Sequence, residues 1–469
     1  MKAPFIDKLD YLMRILFRFT GVNRAVFFGV LSKVWLAAGG AVTVILISVY
    51  LSPEVQGFYF TFYSFLAMQV LVELGLTTVI INMSSHEWSD LHLDERGRIT
   101  GSGRALSRLK SLMLGMLKWF VAGGIILFVL LVIVGFVFFS SAGATCIQWQ
   151  MPWLLFCSFT CVDLMIIPFL SVLEGCNQVD GIYFFRFIQE ILRSVVTWVV
   201  IVAGAGIWAP AVSSAAIIIW SLLFLAIRYG RFFLSLFVVE ISAAMDWWKD
   251  VWPLQWRIAV SYFSGYFCYY LFTPVIFHYK GAAAAGQMGL SWNMVMALLM
   301  ISSNWIITRA PKFGMLINKK QYRELDELLF RSTVVAVLVA MSGSIVIFSF
   351  IFFIYAAGLP ISHRFLPPLQ TAFLLMGMIL TLIGAAQGTY LRAHKKEPLM
   401  WLTLTSAILT AALVLITGYY YGALGISVSY FFVTCFVSLP FGSIIWYRRR
   451  HEWHSDGFAE SEMAQYGGL

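Results

Sequence analysis

Charged residues are scarce in this sequence. Only 12% of the 469 residues are Asp, Glu, Lys or Arg, whereas soluble globular proteins carry roughly 25%. Hydrophobic residues make up 60% of the chain, and its mean hydropathy is +0.84. The sequence also lacks the alternating runs of about ten residues that a membrane β-barrel requires. Because a helix needs about 20 apolar residues to cross the hydrocarbon, the continuous apolar runs predict an all-α integral membrane protein.

Cysteine and histidine are too sparsely placed for metal or disulfide chemistry. The six cysteines have no CxxC spacing and fall mostly inside apolar runs, so we expect neither a disulfide framework nor a zinc site. The tetrapeptide HEWH at 451–454 differs from the zinc-protease motif HExxH, because position 455 is serine. The loops on the predicted outer side are short and leave no room for a catalytic domain. We therefore expect no enzyme, no resident metal and no cofactor.

Apolar windows divide the chain into about twelve predicted membrane helices. They lie at roughly 25–50, 58–83, 112–138, 150–174, 182–208, 211–229, 253–278, 284–306, 333–357, 367–392, 397–421 and 423–447. Lys and Arg collect before the first of these, and after the second, eighth, tenth and twelfth. The loops on the opposite side offer only Lys280 and Arg364. The positive-inside rule thus places both termini in the cytoplasm, and the net charge of +9 reflects topology rather than nucleic-acid binding.

A weak internal repeat relates the two halves of the chain. The segment YLSPEVQGFYFTF resembles YKGAAAAGQMGLS, with Tyr50 and Gly57 matching Tyr279 and Gly286 at the same spacing. An even number of helices per half predicts two parallel six-helix lobes, related by a pseudo-two-fold axis along the membrane normal. The predicted divisions begin with a cytoplasmic amphipathic segment at 1–24, which is not a cleaved leader, and an N-terminal lobe at 25–229. An interfacial linker helix at 230–252, a C-terminal lobe at 253–447 and a cytoplasmic polar tail at 448–469 follow.

Eight charged residues lie inside the predicted membrane helices. They are Lys33, Glu73, Lys118, Asp163, Arg186, Glu190, Arg193 and Arg257. On insertion scales each costs about 2.5–3.5 kcal/mol at the bilayer centre. Arg186, Glu190 and Arg193 follow the spacing i, i+4, i+7, so they share one helix face, which we expect to look inward. A structural interpretation has Glu190 neutralising both arginines while the basic residues nearer the cytoplasm extend to the interface.

A functional interpretation starts from the balance of these charges. The basic residues outnumber the three carboxylates by two, which favours a cationic cavity and an anionic substrate. Arginine can hold phosphate in a bidentate fork. The candidate substrate-binding residues are Lys33, Lys118, Arg186, Arg193 and Arg257, and the candidate ion-coupling residues are Glu73, Asp163 and Glu190. Glu73 and Asp163 are preferred for coupling, because neither has a basic partner within one turn of its own helix.

Two segments resemble a known family of transporters. The stretch LSPEVQGFYFTFYSFLAMQVLVELGLTTVIIN in the first half and GQMGLSWNMVMALLMISSNWIITRAPKF in the second are similar to the corresponding segments of Wzx-type polysaccharide flippases. These belong to the multidrug/oligosaccharidyl-lipid/polysaccharide (MOP) superfamily, which includes the multidrug transporters of the MATE family. The resemblance implies a MOP/MATE-like fold of two six-helix lobes. The lipid II flippases of the superfamily usually have fourteen membrane helices, which argues against the peptidoglycan precursor as cargo.

The resemblance also implies a function. It is the movement of an undecaprenyl-diphosphate-linked oligosaccharide across a bacterial inner membrane by alternating access, with basic and acidic side chains lining the path. H⁺ or Na⁺ would be the coupling ion, and membrane lipids, a polysaccharide polymerase and a chain-length regulator would be partners. A cation-coupled multidrug efflux transporter is the alternative, although its often cationic cargo fits a cationic interior less well. A membrane-embedded polymerase or acyltransferase is a third interpretation.

Overall fold

The computed structural model describes residues 24–141, 147–240, 252–394 and 396–466. The predicted N-terminal amphipathic segment, except Arg24, and residues 241–251 of the predicted linker helix lie outside these ranges. In the first half the elements are α1 (Arg24–Tyr50), α2 (Pro53–Leu66), α3 (Val70–Glu73), α4 (Leu76–Trp88), β1 (Leu91–Leu93), β2 (Ile99–Gly101), α5 (Gly103–Ser141), α6 (Gln150–Gly175), α7 (Val179–Val202) and α8 (Ala209–Val238).

The second half of the described chain contains helices only. They are α9 (Trp252–Tyr269), α10 (Phe272–Lys280), α11 (Ala282–Ile307), α12 (Ala310–Asn318), α13 (Tyr322–Ala356), α14 (Pro368–Ala393), α15 (Met400–Tyr421), α16 (Ala423–Val433) and α17 (Leu439–Tyr466), with a short 3₁₀ turn at Pro360–Arg364 and a π-helical stretch at Thr434–Ser438. The first half has short 3₁₀ turns at Ala67–Gln69 and Gly206–Trp208. The predicted all-α fold class is confirmed.

Ten helical segments of the described chain are long and apolar enough to cross a membrane. The two remaining predicted spans correspond to α7 and to the pair α9 and α10. α7 has 24 residues, about 36 Å, but its charged residues place it outside the apolar set. α9 and α10 are separated at residues 270–271, so neither is a long apolar helix by itself. The chain is a multi-pass membrane protein.

The second predicted span is not one continuous helix. Pro53 begins α2 where its missing N–H costs nothing, and the Ser52 hydroxyl accepts a hydrogen bond from Val55 N at 3.2 Å. After α3 the chain breaks at Leu74 and Gly75, both left-handed, with φ of 45° and 74°. A left-handed leucine is sterically unfavourable, since its Cβ approaches the following carbonyl. No proline marks this position, so the sequence pattern did not predict the break.

The chain separates into two compact units. The first comprises Met1–Leu46, Gly75–Ile133 and Gln150–Gln255, and the second comprises Ile47–Leu74, Val134–Trp149 and Trp256–Leu469, in both cases for their described residues. The intramembrane charges divide between them, with Glu73 and Arg257 in the second unit and the other six in the first.

A β-hairpin that the sequence did not predict lies within the first unit, between α4 and α5. β1 pairs antiparallel with β2, and the Asp94 carboxylate accepts the backbone N–H groups of Arg96 and Arg98 in the turn. The backbone N–H of Ile99 donates to Ser235 Oγ on α8 at 3.0 Å. α8 extends to Val238, past the predicted end of its span, and this extension supports the hairpin.

The second unit brings the two repeated segments together in a contact that we call the α2–α11 seam. A Cβ added to Gly57 would overlap the carbonyl oxygen of Ala282 at the start of α11. A Cβ added to Gly286 would lie 2.8 Å from the carbonyl oxygen of Pro53 at the start of α2. The buried Gln56 side chain donates from Nε2 to Gly286 O at 2.7 Å. The two glycines that match in the repeat therefore allow the backbones to approach closely.

Candidate functional site

The charged face of α7 is the centre of the candidate site. Arg186, Glu190 and Arg193 share one side of the helix, as their spacing predicts, and all three are half-buried. The opposite side carries exposed Val195 and Val199. Since apolar side chains are stable against lipid and charged ones are not, the charged face is the one directed to the protein interior.

Arg186 forms a tight ion pair with a residue that the sequence analysis did not single out. Its Nη2 atom lies 2.6 Å from Glu174 Oε2 at the end of α6. The guanidinium also lies over the Tyr183 ring, 5.7 Å from its centroid. The structural interpretation in which Glu190 neutralises both arginines is therefore corrected, because Arg186 pairs with the neighbouring helix. A charge-assisted bond of this length holds the Arg186 side chain in place.

Arg193 is held more loosely. Its Nε atom lies 3.9 Å from Glu190 Oε2, which is an ion-pair distance but too long for a hydrogen bond. The two side chains keep 38% and 31% of their surface exposed, respectively. The half-buried Asp163 on α6 lies within electrostatic range of the Arg193 guanidinium. One arginine and two carboxylates thus form a cluster near the middle of α7, about 21 Å from its first residue.

The remaining candidates are more dispersed. Lys33 on α1 and Lys118 on α5 are exposed, and neither forms an ion pair with a residue in the described part of the chain. Glu73 ends α3, directly before the break at Leu74, and is half-buried. Arg257 lies on α9, and its side chain is outside the description. The structure therefore brings together Asp163, Glu190 and Arg193, and assigns Arg186 to a separate pair.

Glu174 changes the charge balance. With it, five basic residues face four carboxylates, so the predicted excess of two positive charges falls to one. The sequence did contain a signal for this pair. Glu174 and Arg186 are 12 residues apart across the short turn between α6 and α7, where Asn177 adopts a φ of 59°. Residues near the ends of two helices joined by such a turn are neighbours in space.

The described ranges hold no group of three or more His, Cys, Asp and Glu side chains placed to bind a metal ion. His454 of HEWH makes a different contact, with its Nε2 atom 2.9 Å from the Tyr390 hydroxyl. Arg450, directly before the tetrapeptide, donates to Asp326 Oδ2 through Nε and Nη2 at 3.0 and 2.5 Å. These contacts attach α17 to α13 and α14.

Comparison with known proteins gives the fold a context. No protein-family model matches the sequence, and no curated protein matches it either. Solved structures do. An inward-facing MATE family multidrug resistance transporter of the MOP superfamily superposes with a TM-score of 0.61 at 14% identity, covering 90% of this chain and 95% of that one. The lipid II flippase MurJ, in an inward closed conformation, gives 0.63 at 11% identity, with 92% and 91% covered.

A third structure extends the likeness. The MATE multidrug transporter DinF-BH, solved as a complex, gives a TM-score of 0.54 at 16% identity, covering 91% of this chain and 95% of that one. At such low identity the likeness concerns the fold and not the cargo. The predicted MOP/MATE-like architecture is thereby confirmed: the chain has the fold that MATE transporters and the MurJ flippase share.

Proposed function

We propose that this protein is a flippase that moves an undecaprenyl-diphosphate-linked oligosaccharide across a bacterial inner membrane by ion-coupled alternating access. The observation that carries the proposal is the contrast between the two arginines of α7. Arg186 is held by Glu174 at 2.6 Å, whereas Arg193, which is exposed to a similar degree, lies 3.9 Å from its carboxylate. A loosely held guanidinium on the inward face of a helix is suited to bind a phosphate group.

In this proposal Arg193 binds the cargo diphosphate directly. Its two parallel N–H groups match two phosphate oxygens, and Glu190 holds the side chain until the cargo replaces that pair. Arg186 has a positioning role, since its ion pair with Glu174 fixes the α6–α7 turn. Lys33 and Lys118 add positive charge on α1 and α5, and Arg257 adds it on α9. The sugar units and the polyprenyl chain would contact the surrounding polar and apolar surfaces.

Ion coupling is assigned to carboxylates. Asp163 lies beside Arg193, so a change in its protonation alters the field at the phosphate-binding group. Glu73 precedes the break in the second span, where backbone conformation can change. Replacing either with its amide should flatten the pH or sodium dependence of transport while the protein still inserts. Ion dependence that is unchanged in both amide variants would contradict this assignment.

The decisive experiment compares conservative changes at the two arginines. In Arg193→Lys the ammonium keeps the charge but cannot form two parallel hydrogen bonds to phosphate. We therefore expect normal abundance with strongly reduced export of the lipid-linked sugar. Arg186→Lys is the matched control, because it lies on the same helix face and keeps its charge beside Glu174. Its export should stay closer to that of the native protein.

Arg193→Ala completes the series. A purely structural role for Arg193 would leave Glu190 without its basic partner, so the variant should be poorly made, at a cost of about 3–5 kcal/mol if the pair behaves as buried. Abundance and export are therefore measured together. Full export by well-expressed Arg193→Ala would refute direct binding of the diphosphate.

Multidrug efflux is the second candidate function, favoured by the MATE transporters among the structural neighbours. A cationic drug would need a carboxylate that is available to it. Glu174 and Glu190 each pair with arginine, and Asp163 is close to Arg193, which disfavours a cationic cargo at this cluster. Transport of a cationic dye by the purified protein in proteoliposomes, without export of lipid-linked sugar, would establish efflux instead.

A further inference from the structure

A basic surface surrounds the short helix α12, between α11 and α13. We call this surface, made of Arg309, Lys312, Met315 and Lys319, the α12 platform. All four side chains are exposed, and Met315 keeps 57% of its surface accessible. Neither the charged face of α7 nor the proposed transport function involves these residues.

The fold holds the platform rigidly. Phe313 and Leu316 on the other side of α12 are buried, and α12 packs on α13 and α14. Turns bound the helix at both ends: Arg309 N donates to Ile306 O at 3.0 Å, and Gln321 N donates to Leu316 O at 3.0 Å. A left-handed residue, Lys320 with φ of 55°, closes the second turn. The exposed side of α12 therefore has a fixed direction.

The charge of this region is of one sign. No acidic residue occurs between Ile306 and Arg323, whereas five basic residues do: Arg309, Lys312, Lys319, Lys320 and Arg323. Within the described ranges, Arg309, Lys312 and Lys319 form no ion pair. By contrast, Arg331 in the following helix pairs with Glu327 at i, i+4. The platform thus presents positive charge that no residue in the described ranges neutralises through an ion pair.

Exposed apolar side chains adjoin the platform. Trp305 and Ile307, in the last turn of α11, are 48% and 57% exposed. α11 is part of a helical segment long and apolar enough to cross a membrane, so we infer that its end lies at the interface between hydrocarbon and headgroups. A surface with apolar and basic side chains side by side at this depth matches a lipid, since the apolar groups enter the hydrocarbon edge and the cations meet the phosphates.

We propose that the α12 platform binds the headgroups of anionic phospholipids. Lys312 and Lys319 are the principal contacts, and Met315, between them, inserts at the hydrocarbon edge. A soluble acidic partner fits less well, because the adjacent exposed tryptophan and isoleucine would have to leave lipid for water. Each basic residue at such a surface contributes about 1 kcal/mol, which corresponds to roughly a fivefold change in affinity.

The test measures lipid binding to the purified full-length protein. Native mass spectrometry with added phosphatidylglycerol should give retained lipid adducts, and phosphatidylcholine should bind more weakly. Lys312→Gln and Lys319→Gln should each weaken phosphatidylglycerol binding roughly fivefold, and the double variant about 25-fold. Phosphatidylcholine binding should not change in either case.

Two control variants separate this site from general loss of charge. Lys280→Gln removes a basic residue at the end of α10, and Arg331→Gln removes one that is already paired with Glu327. Both should bind phosphatidylglycerol as the native protein does. Equal affinity for the two lipids in the native protein, or a loss in the control variants as large as in Lys312→Gln, would overturn the proposal.

Discussion

The close approach of backbones at the α2–α11 seam makes a sharp prediction about stability. Gly57 on α2 faces the carbonyl oxygen of Ala282 so closely that a Cβ atom would overlap it. Carbon and carbonyl oxygen normally approach to about 3.3–3.6 Å. In Gly57→Ala the α2–α11 seam must therefore open by more than a side-chain adjustment, because the obstructing atom belongs to the backbone.

The expected cost follows from this overlap. Overpacking of a close contact typically costs about 1–3 kcal/mol, and Gly57→Ala should lie at the upper end of that range. Gly286→Ala is the intermediate case, since its Cβ would lie 2.8 Å from Pro53 O and a movement of about half an ångström relieves it. Gly384→Ala is the control. It lies inside α14 with nothing within 4 Å, so alanine should stabilise by about 0.5–1 kcal/mol.

Thermal unfolding of the three purified variants in one detergent gives the comparison. The melting temperatures should rank Gly384→Ala above the native protein, then Gly286→Ala, then Gly57→Ala. If Gly57→Ala and Gly384→Ala have the same melting temperature, the seam is not packed as described and the reasoning fails.

Three further outcomes are expected. Asp326→Asn removes the charge that accepts from Arg450, so the chain should lose about 1.5–3 kcal/mol of stability in thermal unfolding; unchanged melting would contradict this. Burial lowers the pKa of His394 from its ordinary 6.5, so the folded protein favours the neutral imidazole. As pH falls below about 6.5 the unfolded chain binds a proton more readily than the folded one, and the free energy of unfolding decreases. In His394→Phe the melting temperature should depend less on pH, and an unchanged slope would show that His394 does not cause this dependence. Reporters fused after Arg450 and near Pro53 should lie on opposite sides of the membrane, and the same side for both would refute the span count.

Much of the fold follows from simple patterns in the sequence. Continuous apolar runs predicted the membrane helices, because backbone groups in lipid must be satisfied within the helix. The repeat of Gly57 at Gly286 predicted related segments, and the structure places both glycines in one seam. The break at Leu74 could not be predicted, since a left-handed leucine has no sequence signature. The β-hairpin was missed because strands of three residues carry too little pattern.

The candidate site was predictable in type but not in pairing. Spacing on α7 identified the face that carries Arg186 and Arg193, and polarity indicated that it looks inward. Which carboxylate each arginine meets depends on the register of α6 against α7, and no periodicity within one helix contains that information. Glu174 was therefore overlooked, although its ion pair with Arg186 is shorter than the pair between Glu190 and Arg193. The roles assigned to the eight intramembrane residues remain predictions.

The pair between Glu174 and Arg186 has a consequence for how the protein is made. α7 carries Arg186, Glu190 and Arg193 and would enter the bilayer alone only at a cost of several kcal/mol. α6 is synthesised immediately before it and ends at Gly175, with Glu174 placed to neutralise Arg186 across the turn. The two helices are therefore expected to leave the translocon as one hairpin, with the ion pair already formed. Because α6 is synthesised first, its acidic end assists the insertion of α7.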